Sequence, residues 1–239
     1  MPVSSSENLG TLEADLRYSF HHRALLLEAL THKSFHHENP SRGPSHNERL
    51  EFIGDSVLGL VIVEHLFHNK MGYTESEMSE IKSYLVRGSL LAEIAQDVQL
   101  GNYLRLGKGE EETGGRNKKS VLANAMEALL GAVYLDGGYG AAQELILRLY
   151  GGRVLSALSS GQYHNYKTDL QEESQMRLGI LPEYHIIHQE GEEHRKTFTA
   201  EVFLAGKKLG RGSGKNKKEA QTAAAKEALE RLLSGESPS

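Results

Sequence analysis

The sequence predicts an α+β protein of two domains, an all-α domain followed by a smaller domain with the element order α-β-β-β-α. A length of 239 residues is sufficient for two compact domains. Apolar residues recur with helical spacing through the first two thirds of the chain, and short alternating runs typical of strands occur only in the last third. Gly and Ser dilute the apolar pattern at 151–152 and 159–161, which is typical of a helix end and a linker. We therefore expect an all-α domain at 1–157, a flexible linker at 158–165, a second domain at 166–234 and a disordered tail at 235–239.

The segment 47–63 is predicted to be a helix with one acidic face. Glu48, Glu51 and Asp55 fall within roughly 60° of one another on a helix. Gly54 and Gly59 are poor helix formers, so we expect them to answer a packing or access need. Residues 61–63 are apolar nearly all round, which predicts that the helix is buried. The expected apolar face comprises Leu50, Ile53, Val57, Leu60 and Val61.

A second amphipathic helix is predicted at 120–135, with Ser120 as its N-cap and a stop signal at 136–138. Asn124 and Glu127 are three residues apart and so lie on one face. If the two polar faces meet, their oxygens suit a hard ion such as Mg²⁺ or Mn²⁺. An ordinary solvated helix face is the alternative that the spacing alone leaves open. The expected apolar face comprises Leu122, Met126, Leu129 and Val133.

The last third of the chain alternates between helical and strand patterns. Helices are predicted at 168–178 and 219–233, and strands at 184–188, 196–204 and 207–212, with turns at 190–194 and 205–206. Lys215, Lys217 and Lys218 precede or begin the last helix, where their charges and the positive end of the helix dipole would both attract an anion. A solvated helix entrance is the alternative. The buried stripe of this helix is expected to be Ala224, Ala228, Leu229 and Leu232.

Bulk composition restricts the location and partners of the chain. The formal net charge is −5, but residues 165–233 carry 12 Lys/Arg and 11 Asp/Glu, so local arrangement rather than overall charge must carry any binding to nucleic acid. The absence of Cys suits a reducing cytoplasm. Neither a signal peptide nor a run long enough to span a membrane is expected, so no membrane partner is predicted.

The twelve His suggest acid–base catalysis as a rival mechanism, but we expect most of them on the surface, with the rings of adjacent pairs diverging.

The segment 47–58 resembles the signature of bacterial ribonuclease III over its whole length. Companion segments agree in the same order at 31–34, 106–110, 114–116 and 120–138, and residues 166–234 resemble a double-stranded RNA-binding domain. The resemblance implies a ribonuclease III endonuclease domain that uses divalent metal to hydrolyse double-stranded RNA to 5′-phosphate and 3′-hydroxyl ends. It also implies a role in rRNA and mRNA processing, and a homodimer with the RNA lying between the subunits.

Family roles transfer to the matching positions of the acidic cluster. The resemblance implies that Glu51, Asn124 and Glu127 bind metal, and that Asp55 and Glu127 are catalytic. Glu48 and Glu75 would shape the RNA-binding edge of the cleavage site. Asn124 departs from the family, which commonly has Asp there. We expect Asn124 still to bind Mg²⁺ through its carbonyl oxygen, but more weakly.

The resemblance also assigns contacts to duplex RNA in the second domain. Thr168, Gln171 and Glu172 match contacts to minor-groove 2′-hydroxyls, His194 matches a loop residue that enters a second minor groove, and Lys215, Lys217 and Lys218 match phosphate contacts. Such a domain recognises the shape of about 16 bp rather than sequence. Because of Asn124, one alternative remains, a non-catalytic double-stranded RNA-binding protein whose degenerate nuclease domain serves only in dimerisation.

Overall fold

The computed structural model describes residues 5–41, 43–68, 72–160, 166–191 and 196–235. The chain divides into two compact units, Met1–Tyr163 and His164–Ser239, and the division falls within the predicted linker. Residues 161–165 of that linker and 236–239 of the predicted tail lie outside the described residues. No helix in the described ranges is long and apolar enough to cross a membrane.

The first unit is helical, as predicted, and the second contains both helices and strands. The helices of the first unit are α1 (Ser5–Leu16), α2 (Arg23–Ala29), α3 (Lys33–Glu38), α4 (Glu48–Phe67), α5 (Glu75–Leu85), α6 (Gly88–Asp97), α7 (Lys108–Glu112) and α8 (Lys119–Ser160), with short 3-10 turns at Leu100–Tyr103 and Gly115–Asn117. The second unit comprises α9 (Tyr166–Leu178), β1 (Glu183–Glu190), β2 (Thr197–Leu204), β3 (Lys207–Gly214) and α10 (Lys217–Leu233).

The long helix α8 forms the centre of the first unit. It makes its most extensive contacts with α4 and α6. Its predicted apolar face, Leu122, Met126, Leu129 and Val133, is almost completely removed from water, which confirms that prediction. Since burial of one such side chain contributes about 2 kcal/mol, this face accounts for much of the attachment of α8 to the core.

Helix α8 differs from the prediction at three points. It begins at Lys119, and the carbonyl of Lys118 accepts the N–H of Leu122, so Ser120 lies in the first turn and is not the N-cap. The expected stop at 136–138 is a break rather than an end, since Gly138 (φ 77°, ψ −175°) is non-helical and helix resumes beyond it. Gly151 and Gly152 do not end the helix, which continues to Ser160 inside the predicted linker, because buried Tyr150 and Val154 keep this half attached to the core.

Asp136 attaches the end of the first half of α8 to the segment before α2. Its carboxylate accepts hydrogen bonds from the backbone N–H groups of His21 and His22 (2.9 and 2.8 Å) and from the hydroxyl of Tyr18 (2.8 Å). Burial alone would raise the pKa of Asp136, but these donors stabilise the charged form and hold the pKa well below its usual range. Both His rings are exposed, as predicted, yet their Nδ1 atoms meet the same carboxylate, so the expected divergence of the pair was wrong.

Helix α4 has two apolar faces rather than one. Leu50, Val57 and Val61 are buried in the core as predicted. Leu60, expected on the same face, is 57% exposed, so its placement was wrong. Of residues 61–63, which were expected to be buried, Val61 and Ile62 are fully buried and Val63 is 37% exposed. The helix also has an exposed apolar face, which the exposed side chain of Ser56 interrupts between its first two members. This face comprises Phe52, Leu60, Val63 and Phe67.

The second unit is an antiparallel sheet of order β1-β2-β3 that packs against α10, which in turn contacts α9. The element order α-β-β-β-α confirms the prediction, with β1 and β3 each extending to residues beyond the expected ends. Gly210 and Gly212 of β3 allow α10 to lie directly on the strand, since a Cβ atom at either would come within 2.5 Å of the α10 main chain. The matching helix face is small, and Ala220, Ala224 and Ala228 are fully buried in it.

Candidate active site

Helices α4 and α8 cross with their main chains in direct contact. A Cβ atom added to Gly54 of α4 would lie 1.8 Å from the carbonyl oxygen of Glu127, and one added to Gly131 of α8 would lie 2.2 Å from the carbonyl oxygen of Leu50. Real Cβ atoms do not approach other atoms so closely, and the obstacle at each position is backbone. The two glycines therefore set the separation of the helices, which is the packing need that the sequence indicated for Gly54.

The crossing brings together the polar residues predicted on the two helices. The side chain of Asn124 hydrogen-bonds the carboxylate of Glu51, and the negative charges of Asp55 and Glu51 both act on Glu127. Glu51 and Asp55 lie four residues apart on α4, so they share one face of that helix. Asn124 and Glu127 lie three residues apart on α8 and likewise share one face. The two faces that periodicity predicted therefore do meet across the helix contact.

Excess negative charge and partial burial raise proton affinity at this crossing. Burial, followed by the charges of Asp55 and Glu51, raises the pKa of Glu127 to about 7. Burial is also the largest cause of a raised pKa at Glu51, and the charge of Glu48 adds to it, while Asn124 and Lys33 act in the opposite direction. Raised carboxylate pKa values mark a place where a cation would be strongly favoured.

The chemistry of the donor set fits a hard divalent cation. Glu51, Asp55 and Glu127 supply carboxylate oxygens, Asn124 supplies an amide oxygen, and the sequence contains no Cys that could supply a thiolate ligand. In the described part of the chain, no three His, Asp or Glu side chains are already arranged to hold one metal ion. The four residues therefore suit Mg²⁺ because they supply oxygen ligands and lie near one another. Metal binding would require their side chains to move closer together.

Glu48 occupies the edge of this cluster, where it is paired with the Lys33 cation. Its carboxylate lies 3.0 Å from the Lys33 ammonium and 3.6 Å from Nδ1 of His46. The hydrogen bond from Lys33 is the main cause of the lowered pKa of Glu48. Glu48 therefore remains charged while Glu51, one turn further along α4, is pushed towards protonation. The two acidic residues that share a helical face thus have different electrostatic environments.

A polar pocket of about 290 Å³ opens beside the cluster, and it contains residues to which the sequence assigned no role. Lys33 and Lys118 both line it, and Lys118 lies 2.7 Å from the carboxylate of Glu110. Lys33 and Glu110 belong to companion segments of the signature, but spacing along the chain gave no reason to place either of them at the site. The complete lining is His32, Lys33, Asn47, Glu48, Glu51, Glu110, Lys118, Ser120, Val121 and Asn124.

Glu75 is the first residue of α5 and its side chain is exposed. The preceding Thr74 caps the helix, with its hydroxyl accepting the N–H of Glu77 while the Glu77 carboxylate accepts the N–H of Thr74. This capping box fixes where α5 begins. Among the described residues, Glu75 is not part of the pocket lining, and its predicted role near the scissile strand stays a prediction.

The predicted RNA contacts of the second unit lie on exposed helical surface. Thr168, Gln171 and Glu172 are exposed on one face of α9, as their spacing requires. Lys215, Lys217 and Lys218 are exposed around the start of α10. His194 lies outside the described residues.

The start of α10 is itself strongly organised. Asn216 is the N-cap, and its side chain accepts the N–H of Glu219 at 2.9 Å. The carboxylate of Glu219 accepts in return from the Asn216 amide (2.7 Å) and from the backbone N–H of Lys215 (2.9 Å). Gln221, in the second turn of α10, accepts a hydrogen bond from Lys167 of α9. The lysines therefore extend from a fixed helix terminus.

Family models match both units. A family model described as Ribonuclease-III-like matches residues 22–178, and a model described as Double-stranded RNA binding motif matches residues 166–232. A helical unit with a carboxylate cluster at its central helix crossing, followed by an α-β-β-β-α unit with a basic helix start, agrees with both. The chain belongs to the ribonuclease III family.

Relatives of similar length support an enzymatic assignment. The chain is 44% identical over 227 residues to Ribonuclease 3 of Syntrophotalea carbinolica, covering 95% of this chain and 98% of the relative. It is 47% identical over 222 residues to Ribonuclease 3 of Caldanaerobacter subterraneus, covering 92% and 96%. The solved nuclease domain of ribonuclease III from Campylobacter jejuni is 40% identical, with a TM-score of 0.56, and covers 61% of this chain and 97% of that domain. The protein is an endoribonuclease.

Proposed function

We propose that this endoribonuclease hydrolyses phosphodiester bonds of double-stranded RNA at the α4–α8 crossing with the help of Mg²⁺, for which Mn²⁺ can substitute. Glu51, Asn124 and Glu127 would hold the metal. The observation that carries the proposal is the Glu127 carboxylate, which is partly buried beside Asp55 and Glu51 and has a pKa raised to about 7. A bound divalent cation would relieve that repulsion.

The roles of the side chains follow from their environments. When bound, the metal supplies acidified water and neutralises charge on the phosphate and the leaving oxygen. Asp55 would orient the attacking water and accept its hydrogen bond, while Glu127 would both hold the ion and keep the water in line. Glu48, charged and paired with Lys33, would border the RNA strand together with Glu75. The products would carry 5′-phosphate and 3′-hydroxyl ends.

The second unit would supply affinity for the duplex. Thr168, Gln171 and Glu172 would contact 2′-hydroxyls in one minor groove and His194 a second one. Lys215, Lys217 and Lys218 would contact phosphates across the major groove, assisted by the N-terminus of α10. Recognition of this kind reads the shape of A-form RNA and depends steeply on salt.

The exposed apolar surface of the first unit supports a homodimer. Among the apolar residues of α4, Val57 and Ile62 are buried in the core of their own chain and are not available to a partner. Phe52 is 77% exposed and lies between two cavities of about 600 and 510 Å³. Leu135 lines one cavity, and Tyr134 lines the other. Large apolar side chains on a rim of this kind mark an interaction surface.

A two-fold symmetric homodimer would match the antiparallel strands of duplex RNA as well as the exposed apolar surface of the first unit. The strands of a duplex run in opposite directions, so two identical sites related by a two-fold axis would cut both. The nuclease domain of the Campylobacter jejuni ribonuclease III has a structurally flexible region involved in dimer formation. We further propose a cytoplasmic enzyme that acts in rRNA and mRNA processing. A monomer in sedimentation at working concentration would contradict the dimer.

Cleavage of a long, perfectly paired RNA in the presence and absence of Mg²⁺ tests the proposed function. The parent should nick the duplex only with metal, and Glu127→Gln should bind RNA as the parent does while cleaving at least about 100-fold more slowly. Equal cleavage by the two proteins would refute the assigned site. Normal RNA binding without Mg²⁺-dependent cleavage by the parent would instead favour the non-catalytic alternative.

A further inference from the structure

The polar pocket beside the carboxylate cluster is lined by hydrogen-bond donors as well as by carboxylates. Lys33 and Lys118 line it together with Glu51 and Asn124, two of the residues proposed to hold the metal. His32 lines the same pocket. The proposed function uses the carboxylates of this region and leaves these three donor side chains without a role. Because they share a cavity with the metal ligands, they are placed to contact whatever enters it.

The hydrogen bonds of His32 determine which of its ring nitrogens carries the proton. The backbone nitrogen of Ser34 lies 3.3 Å from Nδ1 of His32, and an N–H group can only donate, so Nδ1 is the acceptor. The Ser34 hydroxyl, 2.8 Å from the same Nδ1, therefore also donates to it. Burial lowers the pKa of His32 and favours the neutral ring. In a neutral ring with Nδ1 unprotonated, Nε2 carries the proton and is a donor.

This tautomer is held by contacts between α3 and the start of α7. The Ser34 hydroxyl oxygen accepts the N–H of Gly107 at 2.9 Å, and the Glu38 carboxylate accepts the N–H of Lys108 at 2.9 Å. Within the described structure, every hydrogen bond of the His32 ring is made by Nδ1. The Nε2–H group is therefore fixed as a donor that the protein itself does not use.

The two lysines keep donors for a ligand despite their ion pairs. An ammonium group has three N–H donors, and Lys118 uses two of them on Glu110 (2.7 Å) and Thr113 (2.9 Å). Lys33 lies 3.0 Å from the carboxylate of Glu48. The side chains of both lysines are exposed by about half, and ion pairs of this kind contribute little to stability. A phosphate oxygen could therefore replace or join the carboxylates as their partner.

The charge of the pocket favours an anion only when a metal is bound. Two lysines and three glutamates line the pocket, which gives a net charge of −1 when His32 is neutral and the others are ionised. A divalent ion held by Glu51 and Asn124 would make the net charge positive, so that an anionic group would be attracted.

We propose that Nε2–H of His32 and the ammonium groups of Lys33 and Lys118 form a subsite for a phosphate group of the RNA strand that is cleaved. The inference rests on the proposed function, because it takes Glu51 and Asn124 in the same pocket as metal ligands. The subsite positions the strand, so that an adjoining phosphodiester meets the carboxylate cluster. In this role His32 donates a hydrogen bond and neither gains nor loses a proton.

Two substitutions of His32 separate its two nitrogens. Asn retains an acceptor near the position of Nδ1 and lacks any group at Nε2, whereas Gln places an amide N–H near Nε2 and lacks the inner acceptor. Single-turnover cleavage of duplex RNA with Mg²⁺ should fall about 10- to 100-fold in His32→Asn, as expected for loss of one hydrogen bond to a charged group. Urea unfolding should show stability close to that of the parent. His32→Gln should cleave faster than His32→Asn although it is less stable. The opposite order of rates would show that the ring serves only Ser34, and would refute the subsite.

A second pair of substitutions tests the lysine arm. Lys118→Met should lower the single-turnover rate by a similar factor, whereas Glu110→Gln, which breaks the same ion pair but leaves the ammonium group, should retain the rate of the parent. Equal losses in the two variants would assign Lys118 a structural ion pair and would refute its place in the subsite. Each pair of variants tests the proposal if a member of the other pair fails to fold.

The Glu127→Gln protein separates this inference from the proposed function. If the parent cleaves no faster than Glu127→Gln, the proposed function is wrong and the subsite falls with it. If the parent cleaves at least about 100-fold faster than Glu127→Gln, and His32→Asn cleaves as fast as the parent, the proposed function stands and the subsite alone is refuted.

Discussion

Replacement of Gly54 by Ala should disable the enzyme through the helix crossing alone. The new Cβ atom would lie 1.8 Å from the carbonyl oxygen of Glu127, which is roughly 1.5 Å closer than ordinary van der Waals contact. Because the obstacle is main chain, α4 and α8 must separate rather than rearrange a side chain. Overpacking destabilises a fold by about 3 kcal/mol at the upper end of the usual range. The higher helix propensity of Ala offsets about 1 kcal/mol of this, so we expect the free energy of unfolding to fall by about 2 kcal/mol.

The loss of activity should exceed the loss of stability. Glu51 and Asp55 move with α4, whereas Asn124 and Glu127 move with α8, so separation of the helices displaces one half of the site from the other. A displacement of about 1 Å can cost on the order of 100-fold in rate. We expect Gly54→Ala to remain folded in urea titrations followed by circular dichroism, and to cleave duplex RNA on the order of 100-fold more slowly.

Gly59→Ala provides the matched control on the same helix. A Cβ atom at Gly59 would lie 3.2 Å from Cε of Lys82, the far end of a flexible side chain that can move away. The same change should therefore be neutral or stabilise the fold by up to about 1 kcal/mol, with cleavage unaffected. If Gly54→Ala matched the parent in both stability and rate, the main-chain contact would not set the geometry of the site.

Three further outcomes are expected. Asn124→Asp adds a negative charge beside Glu51 and should lower the Mg²⁺ concentration for half-maximal cleavage several-fold in a metal titration, and an unchanged midpoint would refute Asn124 as a weak ligand. Asp136→Asn should destabilise the first unit by about 2 kcal/mol near neutral pH. Because the pKa of Asp136 is lowered by folding, its contribution is present above the unfolded-state value of about 4 and is lost as the pH falls below that value, so urea midpoints of parent and variant should converge on acidification. Lys217→Ala with Lys218→Ala should weaken duplex binding and reduce the slope of log K against log salt by about 1 to 2 in fluorescence titrations, and an unaltered slope would exclude phosphate contacts.

Periodicity was sufficient to predict α4, the first half of α8 and their polar faces, because these follow from spacing along single helices. Glu51 with Asp55, and Asn124 with Glu127, each share a face through local geometry alone. That the two faces meet depends on Gly54 and Gly131, whose role became evident only once the helices were placed against each other. The distance between two helices depends on tertiary contacts, and the sequence alone does not show which atoms lie against a given glycine.

The predictions that failed did so where tertiary contacts overrule local patterns. Leu60 fits an inward apolar face by spacing, but α4 also carries an outward stripe, and composition does not distinguish a core from an interface. Gly151 and Gly152 are helix breakers by propensity, and the buried residues around them hold the helix together.

The contact of α10 with β3 has a consequence for how the protein selects its substrate. Gly210 and Gly212 bring helix and strand together with main chain against small side chains, which leaves little freedom for the helix to tilt or slide. The ammonium groups at its start therefore have anchor points at a fixed height above the sheet. A-form duplexes likewise keep a constant distance between phosphates across the groove. If the lysines bind phosphates as proposed, their fixed position would favour any duplex with the groove width of A-form RNA and disfavour duplexes of another width, without contact to a base.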